Sequence, residues 1–241
     1  MSISQMTFAE KQARRDEKRS AILLFLASGE GYTNLQIAAR VMKCSIRAAR
    51  DTLDALVRDG ALKSESLFVQ SRNIRIFGIT PHGLALVNET EGPYFELGRT
   101  NSSYVPHHLA TQTARLAAEA AGWTNWQPGK ILYKTGLLKV PDALCVTLDH
   151  RKVAIEIERH IKTKKRYEEI LSLHLQEITK KSWHEVHYLT QPELITPLQN
   201  IIQRIETIPV KGERVVLEEK HRDRFSFYSL ADWPTQRGTL S

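Results

Sequence analysis

Cysteine and long apolar runs are scarce in this chain of 241 residues. Cysteine occurs only at Cys44 and Cys145, far apart, so neither a disulfide framework nor a cysteine zinc site is expected. No apolar run approaches the ~20 residues that a membrane helix needs, so no membrane insertion is expected. A signal peptide is not expected either, because Lys11–Arg19 is charged and the apolar stretch after it is short. These absences predict a cytoplasmic protein.

Acidic residues are also in deficit. The chain has 27 Asp and Glu against 34 Lys and Arg, a net charge of +7. Such an excess favours a polyanionic partner, with nucleic acid as the leading class. The alternative is an ordinary solvated surface. The length suits two modest domains.

The first 90 residues carry the pattern of three helices followed by a hairpin. Residues 1–15 are expected to form a mobile polar arm. Helices are predicted over Asp16–Ser28, Asn34–Met42 and Ser45–Asp59, strands over Leu62–Phe68 and Ile74–Ile79, and a short helix from Thr80-Pro81 to about Val87. This order is typical of a winged helix-turn-helix domain, which we predict over residues 1–90.

Four arginines are the predicted DNA contacts of this domain. Arg47 and Arg50 fall outside the apolar stripe of the third helix, and Arg72 and Arg75 flank the hairpin tip. The segment LVRDGALKSE resembles many bacterial winged helix proteins, in which the third helix enters the major groove and the wing touches the backbone. The alternative is a dimerisation or packing module, a role that winged helices also serve.

Residues 91–104 are rich in Gly, Pro, Asn and Ser without periodicity, which predicts a linker. A domain over residues 105–241 follows, with an αβββαβα order. Its predicted elements are a helix from Val105 to about Ala121, a strand over Trp123–Gln127 and Lys130–Tyr133, a hairpin over Lys139–Glu158, a helix from the basic run through Ile178, a strand over His184–Thr190, a helix over Pro192–Ile205 and a late hairpin of Arg214–Leu217 with Phe225–Ser229.

The hairpin KVPDALCVTLDHRKVAIEIE carries three acids on which the functional prediction depends. Glu156 and Glu158 stand two apart in the second strand, so they share one face of the sheet. Asp142 lies near the start of the first strand and falls opposite one of them if the turn has an odd number of residues. Carboxylates this close repel one another, and a Mg²⁺ or Mn²⁺ ion would resolve that conflict. The alternative is a sheet whose outward face merely carries acids.

Pro141-Asp142 followed by Glu156-Ile157-Glu158 resembles the PD-(D/E)xK nuclease core. Glu158 stands where that motif usually has its lysine. The resemblance implies Asp142, Glu156 and Glu158 as metal ligands. The displaced lysine would come from the basic run after Glu158, with Lys164 as the first choice and Lys162 as the second. In this fold the first helix often lends a polar residue, and the accessory candidates there are His107, His108, Gln112 and Glu119.

The segments VPHHLATQTARL, KVPDAL, VAIEIE and KTKKRY together resemble the MobC-type relaxases of mobilizable plasmids, the MOBC family. The likeness spans nearly the whole chain, although each motif is short. It implies an N-terminal winged helix joined to a PD-(D/E)xK-like domain that nicks one strand of double-stranded DNA at a transfer origin. It also implies a relaxosome accessory protein and a coupling protein as partners. No histidine triad of the kind used by tyrosine relaxases occurs.

Two other classes remain open. A restriction-type or transposase-associated endonuclease with the same core would cut both strands and would need two active sites, hence a dimer. A non-enzymatic DNA-binding replication or regulatory protein would keep the acids in a degenerate nuclease domain.

Overall fold

The computed structural model describes residues 7–89 and 91–234, and they form a mixed α+β protein. The chain divides into two compact units, Met1–Gln112 and Thr113–Ser241. The division falls inside a helix, Val105–Ala120, rather than inside the predicted linker. Within the described ranges, no helix has both the length and the apolar character needed to cross a membrane.

The first helix, α1 (Phe8–Phe25), begins well before the predicted residue 16. Thr7 and Glu10 form a capping box: the Thr7 side chain accepts from the Glu10 backbone N–H, and the Glu10 carboxylate accepts from the Thr7 backbone N–H. The prediction of a mobile arm is therefore wrong for residues 7–15, and its first six residues lie outside the described chain. A π-helical turn, Leu26–Glu30, continues the helix.

The next two helices confirm the predicted pattern. They are α2 (Leu35–Val41), capped by Asn34, and α3 (Ile46–Arg58), capped by Ser45. The apolar stripe of α3 buries Leu53 and Leu56 completely. Burial of this stripe, rather than helix propensity alone, is what stabilises helices of such length.

The N-terminal unit also contains a sheet with strands β1 (Tyr32–Asn34), β2 (Leu62–Val69) and β3 (Arg72–Ile79) in the order β1-β3-β2. The hairpin of β2 and β3 confirms the prediction. Gln70 and Ser71 at its tip have φ of 48° and 63°, as a two-residue turn between twisted strands requires. β1 is too short to show periodicity and was not predicted. The short helix α4 (Pro81–Ala85) follows its Thr80 cap as predicted.

The segment 91–104 contains no helix or strand but packs onto the N-terminal unit. The buried Phe95 lies against Gly78, where an added Cβ would collide with the Phe95 ring. The backbone N–H of Phe95 donates to the carbonyl of Ile79 over 2.8 Å. The helix Val105–Ala120, α5, comes next.

The C-terminal unit contains a sheet in the order β10-β7-β6-β5-β4, in which β4 to β6 run antiparallel, whereas β6, β7 and β10 run parallel. A separate hairpin pairs β8 with β9. The strands are β4 (Thr124–Pro128), β5 (Ala143–Val146), β6 (Lys152–Glu158), β7 (Glu185–Thr190), β8 (Thr207–Val210), β9 (Glu213–Val216) and β10 (Phe225–Ser229). The helices are α6 (Gly129–Leu132), α7 (Lys164–Thr179), α8 (Pro192–Gln203) and α9 (Glu219–Arg222).

Two predictions for this unit are wrong. Residues 130–132 lie in α6 instead of a strand, because β4 ends at Pro128, which lacks the N–H that a continuing ladder would use. The late hairpin is also wrong: β9 pairs with β8, and β10 joins the main sheet in parallel beside β7. The apolar alternation identified the strands but not their partners, which lie far along the chain.

A core of buried side chains fills one face of the main sheet beneath α7 and α8. Tyr167 and Leu171 of α7 pack there with Trp183, Tyr188 of β7 and Phe225 of β10. The polar residues that share this face are therefore covered by protein rather than by water.

We expect Leu53→Ala to lower the free energy of unfolding by about 2 to 5 kcal/mol, because Leu53 is fully buried and its removal leaves a cavity. Urea denaturation followed by circular dichroism measures this loss. Leu24→Ala is the matched control, since Leu24 on α1 is 52% exposed. Equal losses in the two variants would contradict the core described here.

Candidate functional site

The hairpin of β5 and β6 brings the three predicted acids to one face of the sheet. Glu156 and Glu158 are two residues apart in β6. Ala143 pairs with Ile155, and continuing this antiparallel register by one residue places Asp142 opposite Glu156. β6 is a central strand of the sheet, so the acids lie at a covered position rather than at an edge.

Glu156 is held by two side chains from different segments. Its Oε1 lies 2.5 Å from Nζ of Lys139 and 3.1 Å from Nε2 of His174 on α7. Lys139 also donates to the carbonyl of Val140 over 2.8 Å. Burial alone would raise the pKa of Glu156, but the hydrogen bond from His174 and the charge of Lys139 outweigh it and lower the pKa to about 2. Glu156 is therefore ionised throughout the physiological range.

His174 is completely buried, and burial lowers its pKa although Glu156 opposes that shift. The neutral imidazole can donate only one hydrogen bond, and its Nε2–H faces the Glu156 carboxylate. Its Nδ1 has no hydrogen-bond partner within the described residues. The ring thus stabilises the carboxylate without adding a second positive charge.

Glu158 is paired in a similar way. Its Oε2 contacts Nζ of Lys162 and accepts a hydrogen bond of 3.0 Å from the hydroxyl of Tyr167 on α7. The Tyr167 oxygen in turn accepts from the backbone N–H of Lys162 over 3.2 Å. Burial and the negative charge of Glu158 both raise the pKa of Tyr167, so this phenol stays protonated and serves as a donor.

Asp142 is bound to the strand beside it. Its Oδ2 accepts from the backbone N–H of Ile157 over 2.7 Å, and its own N–H donates to the carbonyl of Ile155 over 3.0 Å. The Asp142 carboxylate thus takes the place of a backbone carbonyl as the acceptor for Ile157, at the position just before β5 begins. This contact fixes Asp142 next to Glu156.

The three acids converge around Tyr188 of β7. Burial raises the pKa of this phenol well above its usual value, and the charges of Glu156, Glu158 and Asp142 raise it further. In the register of β6 with β7, Tyr188 pairs with Glu156 and Thr190 with Glu158. The hydroxyls of Tyr188 and Thr190 are buried and have no hydrogen-bond partner in the described part of the chain. Buried hydroxyls beside acids leave this polar cluster incompletely satisfied.

The cluster has the oxygen chemistry that a Mg²⁺ or Mn²⁺ ion prefers, but its present arrangement uses lysines for charge balance. Lys139 and Lys162 each contact one of the glutamates. Within residues 7–89 and 91–234, no three His, Cys, Asp or Glu side chains are grouped so as to hold a metal ion. A bound cation would therefore require the acid side chains to move closer together and at least one ammonium group to leave its carboxylate.

The remaining predicted residues of this site lie as follows. Lys162 contacts Glu158, whereas Lys164 is exposed at the first position of α7. His108 Nε2 and Gln112 Nε2 both lie within hydrogen-bond distance of the Tyr32 carbonyl, at 3.1 and 2.7 Å. These two side chains thus bind β1 of the N-terminal unit. The ring of His107 stacks near Tyr104, 5.1 Å between centroids.

The predicted DNA contacts all lie on the exposed surface of the N-terminal unit. Arg47 and Arg50 project from α3, and Arg72 begins β3. Arg75 is engaged within the unit: it pairs with Asp54 of α3 at 3.0 Å and lies 4.6 Å over the Phe77 ring. Arg75 therefore joins the hairpin to α3.

The residues of the acid cluster that were not predicted include Lys139, His174 and Tyr188. His174 does carry a signal, because it follows Tyr167 and Leu171 at helical spacing on the buried face of α7. A histidine on such a stripe needs a buried partner, and an acid on the facing strand supplies it. Lys139 precedes β5 in an irregular segment, and no periodicity points to it.

No family model matches the chain, and no curated protein matches it. Among solved structures, the chain is similar to PigF with SAH, at 14% sequence identity and a TM-score of 0.23. That match covers 93% of this chain and 62% of the PigF chain, so this chain spans less than two thirds of that protein. A likeness at this TM-score assigns neither a fold nor a function.

We expect Lys139→Met to lower the free energy of unfolding at pH 7 by about 3 kcal/mol, because it leaves Glu156 buried without its cation. The depressed pKa of Glu156 adds stability above the unfolded value of 4.5, and that stability is lost as the pH falls from 4.5 toward 2. Losing Lys139 raises this pKa, so the deficit of the variant should shrink as the pH falls through 4.5.

Urea denaturation at pH 7 and at pH 4 measures this difference. Lys220→Met is the matched control, since the pair of Lys220 with Glu218 is exposed and should contribute little. A deficit that stayed constant with pH would show that Lys139 stabilises the fold through packing of its stem rather than through Glu156.

Proposed function

We propose that this protein is a metal-dependent DNA-nicking enzyme of the relaxase type, which recognises a plasmid transfer origin and cuts one strand. The observation that carries the proposal is the convergence of Asp142, Glu156 and Glu158 on one face around Tyr188. Holding a buried Glu158 and the largely buried Glu156 beside Asp142 costs stability that a purely structural role does not require. Such clusters are characteristic of sites that bind cations for phosphate chemistry.

The topology of the C-terminal unit supports a PD-(D/E)xK-like domain. An antiparallel run of β4, β5 and β6 is followed by the crossover helix α7 and the parallel strand β7. The acids lie on β6 and just before β5, where the sequence motif places them. The N-terminal unit, with helices α1 to α3 followed by the hairpin of β2 and β3, supports a winged helix-turn-helix domain.

Asp142, Glu156 and Glu158 would hold a Mg²⁺ or Mn²⁺ ion, which supplies Lewis acidity at the scissile phosphate and an activated water. The lysines beside the acids would have a separate role, which is to contact the phosphate. Lys162 already lies at the cluster, so it is better placed than the exposed Lys164 to contact a phosphate oxygen. Lys139 is a second such candidate. His174 keeps Glu156 ionised and oriented, and the Tyr167 hydroxyl orients Glu158.

DNA recognition is assigned to the N-terminal unit. Arg47 and Arg50 project from α3, the helix that enters the major groove in winged helix proteins. Arg72 at the hairpin tip would contact the phosphate backbone. The MOBC resemblance extends this proposal to a relaxosome accessory protein and a coupling protein as partners.

A second candidate function is a DNA-binding plasmid replication or regulatory protein that does not cut. The pairs of Glu156 with Lys139 and of Glu158 with Lys162 favour it, because they neutralise the acids without any cation. In that case added Mg²⁺ would change neither the plasmid nor the protein. Nicking assays separate the two functions directly.

We expect Glu156→Gln to abolish nicking of supercoiled plasmid in Mg²⁺ or Mn²⁺ while sequence-specific DNA binding persists. The amide keeps the shape of the side chain but removes the charge that retains a cation. Gel separation of supercoiled, open-circular and linear plasmid measures cleavage. Open-circular product from the unmodified protein supports the relaxase, whereas linear product as the main outcome indicates the restriction-type alternative.

Glu193→Gln is the matched control, since Glu193 is exposed at the start of α8. It should nick at the rate of the unmodified protein. Circular dichroism confirms that both variants fold. Nicking by Glu156→Gln at the unmodified rate would place the catalytic centre elsewhere, and no metal-dependent nicking by any form would leave the non-cutting function.

We expect Arg47→Ala and Arg50→Ala each to weaken binding to the cognate duplex, by about 1 to 3 kcal/mol where the arginine contacts a base edge. Fluorescence anisotropy at low and moderate salt measures the affinity. Arg99→Ala is the control, because Arg99 is highly exposed in the segment between α4 and α5. Unchanged affinity in both α3 variants would indicate that this unit contacts protein rather than DNA.

A further inference from the structure

The C-terminal unit contains a cavity of about 290 Å³ that the acid cluster does not use. Its walls include the turn between β5 and β6, the first residues of β7, and Tyr228 of β10. Trp123 and Trp233 also line it, and their ring centroids lie 5.0 Å apart in an edge-to-face arrangement. Aromatic walls of this kind are typical of pockets for flat organic ligands.

This cavity is separate from the acid cluster. Glu185 and His187 line the cavity, and they alternate along β7 with Tyr188, which lies beside the acids. Successive side chains of a strand point to opposite faces. The two sites therefore occupy opposite faces of the same sheet.

His187 provides a hydrogen-bond donor at this cavity. The indole Nε1–H of Trp233 donates to its Nδ1 over 3.1 Å, and an indole nitrogen is only a donor, so Nδ1 must be the acceptor. The neutral ring therefore carries its proton on Nε2. That Nε2 is buried and has no hydrogen-bond partner among the described residues. A buried donor in this condition destabilises the protein until a ligand or a water accepts from it.

Glu185 provides the matching acceptor. Its Oε1 lies 3.6 Å from His187 Nε2, too far for a direct hydrogen bond, and its Oε2 accepts from Arg151 over 3.2 Å. A donor and an acceptor at this separation suit a ligand edge that carries an acceptor next to a donor. The guanidinium of Arg151 disfavours a cationic ligand and can stack on a flat ring.

We propose that this cavity binds a nucleobase. Every base carries an acceptor next to a donor on its Watson–Crick edge, which would accept from His187 Nε2 and donate to Glu185 Oε1. The ring would lie among Trp123, Tyr228 and Trp233. The base could come from a free nucleotide or from a nucleotide extruded from a DNA strand, since both present the same edge. The site stands independently of the proposed nicking activity, because none of its residues belongs to the acid cluster.

Isothermal titration calorimetry of the full chain in EDTA, without divalent metal, tests this site. The titrants are guanosine, adenosine, cytidine and thymidine, with ribose 5-phosphate as the probe that lacks a base. Binding of at least one nucleoside without binding of ribose 5-phosphate supports the proposal and identifies a free ligand. A short single-stranded oligonucleotide and the same strand with one abasic position form the second arm. Tighter binding of the intact strand alone supports an extruded base.

Glu185→Gln should weaken whichever ligand binds by about ten-fold, because it removes a charged acceptor. Trp233→Leu should weaken it as well, whereas Trp126→Leu, outside the cavity, should not. Thermal unfolding checks that each variant is folded, and Glu193→Gln, at an exposed position outside the cavity, should bind as the unmodified protein does. The proposal is overturned if no nucleoside binds and the intact strand binds no more tightly than the abasic strand, or if neither Glu185→Gln nor Trp233→Leu reduces binding in folded protein.

Discussion

A buried negative charge is the constraint on which the C-terminal unit depends. Glu156 lies in a central strand beneath α7, where an unpaired carboxylate would cost several kcal/mol. The chain balances it with Lys139, from the segment before β5, and with His174, from the helix after β6. These contacts join three segments that are separate in sequence. The position of α7 over the sheet is thus set by polar contacts as well as by the apolar packing of Tyr167 and Leu171.

The same contacts shape what the site can do. Each glutamate of the cluster is paired with a lysine, so metal binding here would exchange an ammonium group for an ion. A lysine displaced from a carboxylate would remain beside it, close to any phosphate that the ion binds. Lys139 and Lys162 would then balance the charge of the glutamates in the resting protein and stabilise the charge on the phosphate during cleavage. The buried hydroxyls of Tyr188 and Thr190 fit this view, since groups left unsatisfied at rest can bond to a ligand.

Local signals in the sequence predicted much of the fold. Ser45, Asn34 and Thr80 mark helix starts through hydrogen bonds to residues three further along, and the hairpin predicted over Lys139–Glu158 contains β5 and β6. The spacing of Thr7 and Glu10 also indicates the early start of α1, because it is the spacing of a capping box. Pairings between distant segments could not be predicted from the sequence. β10 pairs with β7 and β9 pairs with β8, but the residue pattern of a strand does not indicate which strand it pairs with. Likewise the acids of the hairpin were found by spacing, whereas Lys139 reaches Glu156 through an irregular segment whose path depends on the whole unit.

The alternation of β7 explains how one sheet can carry two unrelated polar sites. Tyr188 and Thr190 point to the face with the acids and α7, whereas Glu185 and His187 point to the face with the aromatic cavity. A strand buried on both faces is normally apolar throughout, and Val186 and Leu189 follow that rule. The four polar side chains that depart from it are buried, and three of them, Tyr188, Thr190 and His187, keep an atom without a hydrogen-bond partner among the described residues. Such departures cost stability in a core strand, and this cost is the physical basis on which a ligand is proposed for each face.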